Sequence, residues 1–167
     1  MAAGSTYTAI STQTLASNQA IITFSSIPQT YTHLVLILGN VASGGSQQPV
    51  MQFNGNTGSN YSWLTLTADG STQGGVSASN TNFIQISYFD YLNGNKVYTG
   101  IYNINSYTNA NIYKTALCRS NNPETGLAIT AGTWRNTAAI TSIEIKTSGG
   151  ADILTGSVFT LYGIAAA

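Results

Sequence analysis

Apolar and polar residues alternate in short segments along most of the chain, but one segment departs from that alternation. Residues 34–38 are five consecutive apolar residues at the end of a run that begins at Ile27. A short continuous apolar run predicts a strand buried on both faces of a sheet. It is far shorter than the roughly 20 residues of a membrane-spanning helix. We therefore expect residues 27–38 to form the central strand around which the others assemble.

The remaining segments predict shorter strands that are half polar. Turn signals such as Asn54-Gly55, Asp69-Gly70 and Asn93-Gly94 separate them. Residues 71–81 are rich in Ser, Gly and Asn and predict an exposed loop. The predicted strands span residues 7–15, 19–24, 50–53, 61–67, 83–88, 97–104, 112–119, 127–134, 140–145 and 158–164.

This spacing predicts the fold class and the number of domains. About ten strands with turn signals roughly every 8–12 residues predict an all-β fold, an antiparallel β-sandwich with a jelly-roll-like arrangement. No linker or composition shift divides the chain, so residues 1–167 are expected to form a single domain. Residues 1–6 precede the first strand and are expected to form an extended N-terminal arm.

The composition is unusually poor in charge. Charged residues make up 6% of the chain and the formal net charge is zero, whereas about 25% charged residues is usual. Such a surface lacks the positive field that nucleic-acid binding needs, and a chain without net charge tends to associate. The first residues resemble no signal peptide, so we expect synthesis in a cytosol without secretory export.

Candidate catalytic and metal-binding residues are few. His33 is the only histidine and Cys118 the only cysteine, which is too few for a zinc site. A structural His33, hydrogen-bonded to a neighbouring strand, and a buried, inert Cys118 are the favoured interpretations. No carboxylate pair or calcium loop stands out, so we expect no enzyme activity, cofactor or metal site. The acids are widely separated and lie mostly in predicted turns: Asp69, Asp90, Glu124, Glu144 and Asp152.

Aromatic and arginine side chains are the remaining candidates for binding. Exposed aromatic rings bind sugars and contribute strongly to protein interfaces. Most of the ten tyrosines, with Trp63 and Trp134, occupy alternating strand positions typical of a core or a subunit interface. Arg119 and Arg135 lie at the ends of predicted strands, where each either pairs with a residue of another subunit or is simply solvated. The predicted interface residues are Tyr31, Val35, Ile37, Arg119 and Arg135.

Three segments carry a family resemblance. They are IPQTYTHL at residues 27–34, FNGNTGSNYS at residues 53–62 and GSVFTLYGI at residues 156–164. Together with the Ala68-Asp69-Gly70 turn and residues 131–134 and 137–143, they resemble a family of small, mostly uncharacterised structural proteins of tailed bacteriophages. The shared motifs are turns and strand starts, so the resemblance implies no catalytic residue.

The resemblance implies a virion structural protein, most concretely a capsid decoration or cement protein. Its expected partners are the major capsid protein and further copies of itself in a homotrimer, with no nucleic acid and no membrane. The expected location is the virion, after assembly in the host cytoplasm. The alternative is a tail-fibre or receptor-binding domain whose aromatic residues and 71–81 loop contact host glycans. A depolymerase is the least favoured class, because carboxylates and histidine are scarce.

Overall fold

The computed structural model describes residues 6–45, 47–87, 98–122 and 126–165. Within these ranges the chain forms strands, turns and irregular segments, without a helix. The twelve strands are β1 (Tyr7–Thr14), β2 (Ile21–Phe24), β3 (His33–Val41), β4 (Pro49–Phe53), β5 (Tyr61–Ala68), β6 (Gln73–Thr81), β7 (Ile84–Gln85), β8 (Tyr98–Asn105), β9 (Lys114–Asn122), β10 (Gly126–Trp134), β11 (Ile143–Thr147) and β12 (Val158–Ile164).

These strands form two antiparallel sheets that pack face to face. The large sheet has eight strands in the order β1-β12-β3-β8-β9-β10-β5-β6, and the small sheet has four in the order β2-β11-β4-β7. The prediction of an all-β antiparallel sandwich is confirmed, and the finer jelly-roll arrangement stays a prediction. Residues 1–5 of the expected N-terminal arm and the Asn93-Gly94 turn lie outside the described ranges.

The central apolar run forms β3, in the interior of the large sheet between β12 and β8. Leu34, Leu36 and Leu38 face the core with no exposed surface, and Val35 on the opposite face is 4% exposed. The strand starts at His33, six residues later than predicted at Ile27. Residues 27–32 instead follow an irregular path, because the proline at position 28 has no N–H to donate to a sheet ladder.

Aromatic rings fill one end of the core. The ring of Tyr61 stacks on Trp134 with centroids 6.1 Å apart, and the Phe53 ring lies 5.7 Å from Trp134. The Tyr61 hydroxyl accepts a hydrogen bond from the Phe53 N–H at 3.0 Å, and burial raises the pKa of Tyr61 to about 12. Trp63 and Trp134 are both buried, which agrees with the expectation that the tryptophans pack between the sheets.

The predicted loop over residues 71–81 is wrong. The turn at Asp69-Gly70 is correct, and the Asp69 carboxylate accepts hydrogen bonds from the N–H groups of Ser71 and Thr72 at 2.9 and 2.6 Å. The chain then returns as β6, which pairs with β5 and forms one edge of the large sheet. Backbone hydrogen bonds hold this strand, and only two of its side chains, Val76 and Ala78, pack against the core. Its composition therefore resembles that of a loop.

Candidate interaction surface

The outer face of the large sheet carries the larger apolar side chains over adjacent strands. On β10, Leu127 and Ile129 point to solvent and are 50% and 45% exposed. The residues that alternate with them, Ala128 and Thr130, face the core and are buried. This is the reverse of the usual sheet pattern, in which the apolar face is the buried one. A sheet face of this kind indicates a surface that another molecule covers.

The same reversal occurs on β5. Leu64 and Leu66 lie on the outer face and are 48% and 56% exposed, whereas Thr65 is fully buried. The hydroxyl of Thr65 forms a hydrogen bond of 2.6 Å with the hydroxyl of Thr130 on β10. The inner face therefore tolerates polar groups here because they pair with each other.

These side chains form a continuous group, which we call the apolar patch. Leu66 lies directly opposite Ile129 in the β5–β10 pairing. Leu117 on β9 lies one strand further, next to Ala131, and Ile101 lies on β8. Cross-strand neighbours on one face of a sheet are about 4.5–5.5 Å apart, so Leu66 and Ile129 are direct neighbours. Ala131 lies between Leu64 and Leu117, and Arg119 lies between Ile129 and Ile101. The apolar patch consists of Leu64, Leu66, Ile101, Leu117, Leu127 and Ile129, which are 37–56% exposed.

The two-residue period of a strand explains why these residues face outward. Trp63 near the start of β5 is buried in the core, so Leu64 and Leu66 must lie on the other face. Trp134 at the end of β10 has the same effect on Ile129, which lies an odd number of residues away. The buried tryptophan rings therefore determine which side chains of the same strands are exposed.

Arg119 lies within the apolar patch. It sits opposite Ile129 on one side and Ile101 on the other. It is exposed and forms no hydrogen bond or ion pair with any residue in the described ranges. Beside it is a shallow cleft of about 300 Å³, lined by Thr99, Gly100, Ile101, Arg119, Ser120 and Asn121. An apolar surface with one unpaired cation suits a protein partner that presents apolar side chains and a carboxylate.

Two other predicted interface residues lie on β3. Ile37 is half-buried and lies opposite Ile101, so it borders the apolar patch. Val35 is also on the outer face, but it is 4% exposed and offers a partner almost no surface.

The last two predicted interface residues lie away from the patch. The Tyr31 ring covers Gly163 so closely that a Cβ at that position would overlap it. Arg135 is half-buried beyond the end of β10, and its guanidinium donates hydrogen bonds to Asn80 Oδ1 at 2.8 Å, to Ser59 O at 3.2 Å and to Ser62 Oγ. Of the five predicted residues, the structure therefore brings Arg119 and Ile37 together at one surface.

His33 and Cys118, the two residues considered for catalysis, lie on strands β3 and β9 of the large sheet. His33 Nδ1 accepts a hydrogen bond from the N–H of Ser106, which directly follows the neighbouring strand β8, as predicted. Cys118 is fully buried, and this burial raises the pKa of its thiol. Within the described ranges, no three His, Cys, Asp or Glu side chains come close enough together to hold a metal ion.

The two most exposed aromatic rings in the described part of the chain lie far apart, and Tyr7 instead packs edge-on against the half-buried Tyr162 ring, with centroids 6.4 Å apart. Tyr7 and Tyr113 are the two aromatic residues there with large exposure, at 56% and 54%. They belong to β1 and the segment before β9, which lie four strand spacings apart in the large sheet. Four spacings correspond to about 19 Å, so these two rings cannot stack on one sugar.

Comparison with known proteins adds no family to this description. The chain matches no protein-family model and no curated protein sequence. None of the described segments forms a helix with the length and apolarity required to cross a membrane.

Proposed function

We propose that the chain is a structural protein of a tailed-bacteriophage virion, most concretely a capsid decoration protein. In this role it binds the major capsid protein and stabilises the shell across capsomer boundaries. The observation that carries the proposal is the reversed pattern on β5 and β10, where leucine and isoleucine face solvent and threonine faces the core. The sequence resemblance to phage structural proteins supplies the biological setting.

The surface chemistry supports a protein partner in particular. The apolar patch lies on four adjacent strands of the large sheet, β8, β9, β10 and β5, whose backbones are already paired, so binding orders few groups that were mobile before. The chain has no net charge, so long-range attraction contributes little and burial of apolar area provides most of the binding energy. Arg119 fixes the orientation of the chain on the capsid surface, because it pairs with a carboxylate there and forms the one charged contact.

The size of the effect can be worked out for Leu66 and Ile129. Each still exposes about half of its side chain, so complete burial adds about 1 kcal/mol per residue. Replacing both with threonine removes most of this contribution and leaves a β-branched side chain, which strands favour, at each position. We expect a loss of about 2 kcal/mol, which corresponds to roughly thirtyfold weaker binding.

The test is binding of the purified protein to phage heads that lack it, measured by co-sedimentation. The wild-type chain should saturate the heads at a copy number that matches the capsid lattice, and the Leu66→Thr/Ile129→Thr variant should bind roughly thirtyfold more weakly. The matched control is Ile21→Thr, because Ile21 lies on the small sheet and is 45% exposed, the same as Ile129. This control should bind like the wild type.

Two results would contradict the proposal. Equal binding by the wild type and the double variant would show that the apolar patch is not the contact surface. A few copies confined to the tail of intact particles would rule out decoration and support the tail-fibre alternative.

A further inference from the structure

The four sheet edges of this fold differ in how well they are protected. On the large sheet, the β1 edge has a bulge between Ala9 and Ser11. On the small sheet, β2 has four residues and β7 has two. Bulges and short strands are the usual means by which proteins prevent edge-to-edge pairing. The fourth edge, β6, has neither feature over most of its length.

Strand β6 is open to pairing in both shape and charge. Its pairing with β5 runs without interruption from Gln73 to Ser79, and the one irregularity lies beyond Ser79. The strand contains no charged residue and no proline, which are the side chains that commonly block an edge. Small residues predominate, so nothing bulky shields the backbone. In the described part of the chain, no strand occupies its free side.

The hydrogen-bonding pattern identifies the backbone groups that face outward. The Asp69 N–H donates to Thr72 O at the turn, so this pair is hydrogen-bonded and the pairs after it alternate. The residues of β6 at odd numbers from 73 to 79 therefore lie in pairs whose N–H and C=O groups point away from β5. These four residues carry about eight unpaired backbone donors and acceptors in one row.

This row is complementary to a second copy of itself. If two β6 strands run antiparallel about a two-fold axis at Val76, Gly75 of one copy lies opposite Ser77 of the other, and Gln73 lies opposite Ser79. Every outward N–H then meets a C=O, which gives up to about eight hydrogen bonds. The half-buried Val76 side chains meet at the axis, where each covers the other.

We propose that the β6 edge binds a second copy of the chain, so that two eight-stranded sheets join into one across a two-fold axis at Val76. The contact is isologous and closes at two copies. It therefore predicts a dimer, in contrast to the homotrimer that the sequence resemblance implied. The inference is independent of the capsid proposal, because β6 is not part of the apolar patch.

A cysteine at the axis provides a direct test. Residues opposite each other in a non-hydrogen-bonded antiparallel pair have Cα atoms about 4.5 Å apart, which lies within the range for a disulfide. Val76→Cys should therefore form a covalent dimer under mild oxidation. Ala78→Cys is the matched control, because it is on the same face of the same strand but lies opposite Gly74 of the other copy. The native Cys118 is buried and should not interfere.

A proline in the edge tests the hydrogen bonds themselves. The Ser77 N–H points away from β5, so Ser77→Pro keeps the β5–β6 ladder and removes one donor per copy. Sedimentation velocity should show a dissociation constant about thirtyfold higher than that of the wild type. Thr12→Pro places proline at an outward N–H of the opposite edge strand, β1, and should leave self-association unchanged.

Several results would overturn the proposal, provided that circular dichroism shows folded variants. These are a wild-type chain that stays monomeric at high concentration, a trimer that Ser77→Pro leaves intact, and cross-linking of Ala78→Cys as fast as Val76→Cys. Loss of capsid binding by the Leu66→Thr/Ile129→Thr variant, with self-association unchanged, would leave this proposal standing and support the capsid contact separately.

Discussion

Replacement of Lys114 by methionine tests how one end of the large sheet is held together. Lys114 is the first residue of β9 and lies opposite Trp134, and its side chain is fully buried. Its ammonium donates hydrogen bonds to three backbone carbonyls, at 2.5 Å to Asn109, 2.9 Å to Ile112 and 2.8 Å to Thr137. Lys114 therefore ties two irregular segments to the sheet.

The expected loss of stability follows from these three hydrogen bonds. A hydrogen bond to a charged group contributes about 1.5–3 kcal/mol. Methionine fills the space of the lysine stem but provides no donor, and the carbonyls lie near the surface, where water replaces part of what is lost. We expect Lys114→Met to lower the free energy of unfolding by about 2–4 kcal/mol. In a domain of this size the melting temperature should fall by roughly 4–16 °C.

The protonation of Lys114 follows from the same geometry. Burial lowers the pKa of the Lys114 amine. The charged ammonium has an N–H donor for each of the three carbonyls, whereas a neutral amine has only two. The charged form is therefore the one that holds the two segments.

Urea denaturation followed by tryptophan fluorescence provides the measurement. The matched control is Lys146→Met, because Lys146 is half-buried and donates one hydrogen bond, to Gln52 Oε1 at 2.6 Å. This control loses one hydrogen bond to a charged group instead of three, so it should lose about a third as much, roughly 1 kcal/mol. If Lys114→Met lost no more than the control, the three carbonyl contacts would not contribute to stability as we argue.

Two further predictions concern titratable groups. The hydrogen bonds from Ser71 and Thr72 hold the pKa of the Asp69 carboxyl below its usual value of 3.8, so the folded state binds fewer protons than the unfolded state below about pH 4. Stability contributed by Asp69 is then present above that pH and lost as the pH falls. Asp69→Asn should therefore make the urea midpoint depend less steeply on pH in the acid range. An unchanged dependence of the midpoint on pH would refute this. The Cys118 thiol should not react with an aromatic disulfide reagent until the chain unfolds, whereas a Thr115→Cys variant, which places a thiol at an exposed position of the same strand, should react at once in the folded protein.

The sequence predicted the sandwich because turns and alternating strands are local features. Asn54 and Gly55 illustrate this, since both adopt the left-handed φ values, 54° and 61°, that an Asn-Gly turn favours. The loop predicted at residues 71–81 failed for the opposite reason. Strand β6 depends on backbone pairing with β5, which leaves almost no pattern in its side chains.

The apolar patch was missed although its signal was present. The alternation along β5 shows that Leu64 and Leu66 share one face and that Thr65 lies on the other. The pattern alone does not show which of the two faces is buried. Trp63 in the same strand decides it, because a ring of that size needs the core. Counting the two-residue alternation from Trp63 would have placed both leucines on the outer face.

The apolar patch and the β6 edge are next to each other, and this position makes their effects separable. The patch begins on β5, one strand from β6, so pairing of two β6 strands would place two patches on one continuous sheet face. Two linked patches bind a repetitive lattice more tightly than one, because the second contact forms at high effective concentration. Ser77→Pro should therefore weaken attachment to a capsid without altering the contact of a single copy. Leu66→Thr/Ile129→Thr should weaken that contact and leave self-association unchanged.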